Sequence, residues 1–275
     1  MTGFAEVPGG KIAFEEVGTG PLVIVVPGMG DLRSSYRFVA PRLAAAGYRV
    51  ISMDLRGHGE TSVRWDDFSV GAVGRDILAL ITAAGGGPAH VVGNSMAAGA
   101  AVVAAALEPK RVRSLVLVDP FVRDMMPAWV SRALFGPLLL RPWGPALWRF
   151  FYRKEFASQV PLDFAAEAHR VHGSLAEPGR FEALRRMATA SKIESERSIP
   201  AVRAPALVVM GSKDPDFPKP EVEARHVATL LQGEVRMIEG AGHYPQAETP
   251  DAFVAALVPF FASVAAPLGP VAHVS

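Results

Sequence analysis

Residues 90–100 read His-Val-Val-Gly-Asn-Ser-Met-Ala-Ala-Gly-Ala, and they leave the chain few ways to fold. The β-branched pair Val91 and Val92 runs into Gly93. Ser95 follows two residues later, and an alanine-rich stretch of high helix propensity, 97–107, begins at once. The pattern predicts a strand, a sharp turn with Ser95 at its apex, and a helix. A side chain at such an apex is lifted clear of a sheet and its backbone is held under strain. The N–H groups of the following helix then point at whatever that side chain meets. Small residues stand where the turn needs them, Gly93 two before the serine and Ala97 two after.

The rest of the chain alternates strand and helix around this point. Segments 4–7 and 11–17 flank Pro8-Gly9-Gly10 as a hairpin of two short strands. The run Leu-Val-Ile-Val-Val at 22–26 suits a strand buried on both faces, and further strands are expected at 49–53, 112–118, 206–210 and 234–238. Helices are expected near 35–46, 68–84, 222–230 and 250–264. This alternation predicts an α/β fold, a mostly parallel eight-stranded sheet flanked by helices. From 121 to 200 the rhythm breaks: no buried-strand run occurs, and Trp, Phe, Leu, Met, Arg and Pro dominate. A core of 1–120 and 201–275 interrupted by an insertion, 121–200, after the sixth strand is the expected organisation. The Pro- and Gly-containing tail after 265 is expected to fray.

Composition removes several functions. With 28 Lys+Arg against 27 Asp+Glu the net charge is +1, so nothing favours a nucleic-acid partner. The absence of cysteine excludes disulfides, a thiolate nucleophile and cysteine-ligated metals. No basic region followed by an apolar run opens the chain, so no signal peptide is read. The most apolar later stretch, 133–152, is broken by Arg141, Arg149, three prolines and two glycines, and no membrane span is expected. The expectation is a cytoplasmic protein, a monomer or homodimer.

In an open parallel sheet, reactive groups gather at the carboxyl ends of strands. After 206–210 comes Gly-Ser-Lys-Asp-Pro-Asp-Phe-Pro, with Asp214; after 234–238 comes Glu-Gly-Ala-Gly-His-Tyr-Pro, with His243. A carboxylate and an imidazole therefore sit on consecutive strand-end loops. Asp216, on the same loop, and Asp119, ending the strand after the alanine-rich helix, are rival acids. The string Gly93-x-Ser95-x-Ala97 is one methyl from G-x-S-x-G. The loops match G-x-x-D-x-x-x-P and G-x-G-H, and Asp54-Leu-Arg-Gly-His-Gly follows the fourth strand. In these segments the chain resembles the α/β-hydrolase family, over nearly its whole length outside 121–200.

The resemblance implies an α/β-hydrolase fold, with Ser95 as nucleophile, His243 as general base and acid, and Asp214 holding the imidazole. It implies an oxyanion hole from the backbone N–H of Met96 and of Met29, in a Pro27-Gly28-Met29 loop where the family more often has His-Gly. The insertion becomes a helical lid. Most of its apolar side chains must form its own core, while Trp129, Phe135, Trp143, Trp148 and Phe151 are candidates to line a substrate pocket. The arginines that interleave this run argue against a lipid-facing patch. Asp54 and Arg56 read as a structural loop pair, and His58 as structural too. No histidine pair has zinc-site spacing, and neither metal nor cofactor is expected. The activity implied is hydrolysis of carboxylic esters of small to medium apolar substrates. The alternatives are carbon-carbon hydrolysis of meta-cleavage products, cofactor-free haloperoxidase chemistry as a side reaction, and a non-catalytic small-molecule binder.

Overall fold

Strand β3 (Leu22–Val26) is buried at every residue and divides its side chains between two cores: Leu22, Ile24 and Val26 enter one, Val23 and Val25 the other. Both faces of the sheet are covered there, which is why this run shows no polar alternation. The computed structural model describes residues 2–157 and 160–265; the tail after 265 lies outside the described residues. The other strands are β1 (Gly3–Val7), β2 (Gly10–Val17), β4 (Arg49–Met53), β5 (Ala89–Asn94), β6 (Val112–Val118), β7 (Ala206–Gly211) and β8 (Glu234–Ile238). They form one eight-stranded sheet in the order β1-β2-β4-β3-β5-β6-β7-β8. β2 runs antiparallel to β1 and β4, and every other pairing is parallel.

Helices α2 (Val70–Ala83), α3 (Met96–Leu107) and α9 (Pro220–Leu231) cover one face, and α1 (Val39–Ala45) and α11 (Pro250–Ala265) the other. The Ser69 hydroxyl accepts from Ala72 N–H at 3.2 Å and so caps α2. The helix expected over 35–46 is divided, into a 3₁₀ turn at Arg33–Tyr36 and then α1. Pro41 explains the break: it offers no N–H to residue 37, so it is tolerated only within the first turn of a helix. Asp54 and Arg56 do not pair with each other. Asp54 takes Arg33, whose backbone N–H donates to its Oδ1 at 2.8 Å, while Arg56 Nη2 donates to buried Asp76 Oδ1 at 2.8 Å. Each buried charge is matched by a partner from another element, as burial requires.

Between β6 and β7 lie α4 (Ala128–Leu138), α5 (Gly144–Lys154), α6 (Phe164–Ala176), α7 (Arg180–Ala188) and α8 (Ile193–Ser198), with no strand among the described residues. Helices α5, α6 and α7 share a small core in which Leu139, Tyr152, Phe156, Val171, Phe181 and Leu184 meet Leu32 and Tyr244 from strand-end loops. This core ties the helical segment down over the carboxyl edge of the sheet. No helix among the described residues is long and apolar enough to cross a membrane.

Candidate active site

Ser95 stands between β5 and α3 with φ 58° and ψ −124°, a conformation L-residues rarely adopt. Strand β6 and the loop after it hold it there: Ser95 N–H donates to Val118 O at 2.8 Å, and Ser95 O accepts from Phe121 N–H at 3.2 Å. A Cβ on Gly93 would lie 2.4 Å from Ala97 O, so only glycine lets α3 start this close to the strand. Gly93→Ala is accordingly expected to destabilise the fold by about 1–3 kcal/mol, seen as a lower urea midpoint at unchanged slope. Ser95 is 5% exposed, and its Oγ is buried without a hydrogen-bond partner.

His243 follows β8 and is buried; its Nδ1–H donates to Asp214 Oδ2 at 2.8 Å, while Asp216 Oδ2 lies 3.9 Å away. Asp216 N–H in turn donates to Asp214 Oδ1 at 2.9 Å. Although burial opposes the charge, the Asp214 carboxylate holds the imidazolium well above the ordinary histidine range, and His243 holds the Asp214 carboxyl below its own. Asp119, the rival acid, does not contact His243 by hydrogen bond. Its Oδ1 accepts from Gly211 N–H at 2.8 Å, while its buried Oδ2 makes no hydrogen bond. Burial and the neighbouring Asp214 charge push the Asp119 pKa far up.

A cavity of about 460 Å³ opens over Ser95 and His243. Met29 and Met96 line it, as do Phe135, Trp148 and Phe151 of the helical segment. Trp129 and Trp143 do not. On α4, Ser131, Phe135 and Leu138 face the cavity, and Trp129 lies about 160° around the helix from Ser131. Trp143 is held outside because its indole N–H donates to Pro137 O, near the end of α4, at 3.0 Å. The loop after β3 is fixed from below by His58: its Nδ1–H donates to Arg56 O at 2.8 Å, and its Nε2 accepts from Gly30 N–H at 3.0 Å. Burial lowers the His58 pKa to about 4, so the ring stays neutral and keeps that tautomer. Gly30 has φ +76°, and any Cβ there would strike Trp148.

The alpha/beta hydrolase family model matches residues 23–256. The chain belongs to the alpha/beta hydrolase family. It is 31% identical over 266 residues to BpoC of Mycobacterium tuberculosis, provisionally named a non-heme bromoperoxidase, covering 93% of this chain and 99% of that protein. It is 29% identical over 257 residues to the dihydrolipoyllysine-residue acetyltransferase component of an acetoin cleaving system from Pseudomonas putida. That match takes in 89% of this chain and only 65% of the relative's length. Among solved structures, a thermophilic esterase from Thermogutta terrifontis superposes with a TM-score of 0.80 at 25% identity, over 96% of this chain and 99% of that one.

Two residues of this alpha/beta hydrolase join the site without having been singled out from sequence. Asn94 Nδ2 donates to Val118 O at 3.3 Å and His243 O at 3.1 Å, tying the serine turn to the histidine loop. Its signal was adjacency to Ser95 alone. Glu155, just after α5, accepts His243 N–H on its backbone O at 2.9 Å and places its carboxyl in the cavity. Burial raises its pKa to about 8, with the Asp216 and Asp214 charges adding to the rise. It is the one acid between Asp124 and Asp163, a signal the sequence did carry. Glu155, Asp214, Asp216 and His243 offer ligand atoms within 4.8 Å of one another, but the Asp214–His243 hydrogen bond already engages two of these groups.

Proposed function

We propose that this alpha/beta hydrolase cleaves carboxylic esters with small to medium apolar acyl groups, through an acyl-enzyme on Ser95. One observation carries the reading: a buried, strained serine with an unpartnered Oγ shares an apolar cavity with a histidine whose Nδ1–H is held by an aspartate. His243 Nε2 takes the hydroxyl proton as Oγ attacks the carbonyl carbon, then returns it to the leaving alcohol. Water repeats the sequence to release the acid. Asp214 keeps the ring in the tautomer that presents Nε2 and stabilises the imidazolium. The oxyanion is received by the N–H of Met96, where α3 begins and N–H groups lack intrahelical acceptors, and by that of Met29. The similarity to an esterase over almost the full length of both chains supports this chemistry.

Residues 121–200 act in this reading as the lid of a core made from 1–120 and 201–275, with Phe135, Trp148 and Phe151 as acyl-contacting side chains. The test is hydrolysis of p-nitrophenyl esters from acetate to octanoate, with Ser95→Ala as control. Turnover dependent on Ser95 is expected to rise with chain length while added methylenes fit, by up to about fourfold each, and then fall. Absence of Ser95-dependent turnover at every length, in folded protein, would overturn the ester reading.

A further inference from the structure

The chain as a whole is nearly neutral, yet between Asp124 and Asp163 it carries Arg132, Arg141, Arg149, Arg153 and Lys154 against the single acid Glu155. The structure turns that acid inward, into the cavity, and leaves all five cations exposed. None of the five has an ion-pair partner among the described residues. Most arginines elsewhere among the described residues, Arg33, Arg37, Arg42 and Arg49 among them, are matched to a carboxylate.

Large apolar side chains share this surface. Trp129 is 73% exposed, Trp143 54% and Phe150 55%, and α4 has no buried residue at all. On α5 the exposed positions 146, 149, 150, 153 and 154 form one helical stripe; Phe151, also exposed, lies with Trp148 and Glu155 on the opposite face, toward the cavity. On α4 the exposed Trp129, Arg132 and Ala133 are spaced as one stripe as well.

We propose that the outer face of α4 and α5 docks on a lipid surface bearing anionic headgroups. Uncompensated Arg and Lys beside exposed Trp, Phe and Leu are the chemistry of an amphipathic surface helix, with ring and aliphatic groups entering the acyl boundary and cations meeting the headgroups. The interleaved arginines, which in the bare sequence argue against an apolar lipid-facing patch, are the groups an acidic membrane attracts. A second copy of the chain fits poorly. A symmetric contact through this face would bring ten like charges together, and the only acid of 125–162 is turned into the cavity. The inner faces of the same helices roof the cavity over Ser95. If Ser95 is the nucleophile proposed above, docking brings membrane-dissolved apolar esters to the cavity mouth.

The experiment is flotation of the full chain with vesicles of phosphatidylcholine alone and of phosphatidylcholine with an equal amount of phosphatidylglycerol, at low and high salt. Binding is expected on the anionic vesicles only, with a blue shift of tryptophan fluorescence and release by salt. The triple variant Arg149→Gln, Arg153→Gln, Lys154→Gln should weaken partitioning about 100-fold, with the circular dichroism spectrum and melting temperature unchanged. Trp129→Ser with Trp143→Ser should weaken it and reduce the fluorescence shift. Any of three results would overturn docking: no binding to anionic vesicles at low salt, equal binding to both vesicle types unaffected by the triple variant, or self-association in sedimentation velocity that Trp129→Ser abolishes. Because the readout is partitioning, it stands or falls independently of ester turnover.

Discussion

Ser95→Ala is expected to lower ester kcat by about 10⁴- to 10⁶-fold and to abolish labelling by a fluorophosphonate. Everything around Ser95 positions one oxygen. Its backbone is held at positive φ, its N–H and C=O are engaged by β6 and the loop after it, and its Oγ alone lacks a partner. In the proposed mechanism, removing that oxygen deletes the group that attacks and forms the covalent intermediate; what would remain is binding and oxyanion stabilisation, which give far less rate. The substitution removes no hydrogen bond made by Oγ, so stability should change little. Pre-steady-state bursts of p-nitrophenol in the native enzyme and none in the variant would report the acyl-enzyme directly. Retention of turnover within tenfold by Ser95→Ala would sink the mechanism.

The second large effect separates the carboxyl groups around His243. Asp214→Asn is expected to cost about 10⁴-fold in kcat, because an amide can present its N–H₂ to Nδ1 and so favour the wrong tautomer. Asp119→Asn should stay within about tenfold. Asp119 makes no hydrogen bond to His243, and an asparagine of the same shape keeps an oxygen for Gly211 N–H. The sign of the pH dependence follows. In the proposed mechanism His243 acts as a base only when neutral, and Asp214 raises its pKa well above 6.5. kcat/KM should therefore climb with pH through a midpoint above the ordinary histidine range. The midpoint should move down in Asp214→Asn, where the stabilising charge is gone. Near-normal turnover in Asp214→Asn together with its loss in Asp119→Asn would reassign the acid.

Strands β3, β4, β6 and β8 occupy the expected spans; β3 was legible because burial on both faces demands an unbroken apolar run, whereas β8, at the edge of the sheet, alternates exposed and half-buried side chains. The serine turn was legible because its geometry forces small residues at fixed offsets, a local requirement written in Gly93 and Ala97. The helix expected near 35–46 is shorter, Val39–Ala45, because Pro41 offers no N–H to residue 37 and so fits only in the first turn. Asp54 and Arg56 look like a pair at close spacing, yet their partners Arg33 and Asp76 come from other elements.

The same division runs through the site. The order of Ser95, Asp214 and His243, and their places at strand ends, follow from local pattern and the topology that pattern implies. The amino-acid sequence by itself thus determined the sheet, the turn and the three residues placed at its edge. Which aromatic residues of 121–200 face the cavity depends on how α4 and α5 are rotated about their axes. Long-range packing against Leu32, Phe181 and Tyr244 sets that rotation, so Phe135 enters while Trp129 and Trp143 stay outside. Tertiary structure also decided that Glu155 turns inward beside His243 while five neighbouring cations stay outside without ion-pair partners among the described residues. A charge carries no local signal of the neighbours it will meet, because its partners arrive through contacts far away in the chain.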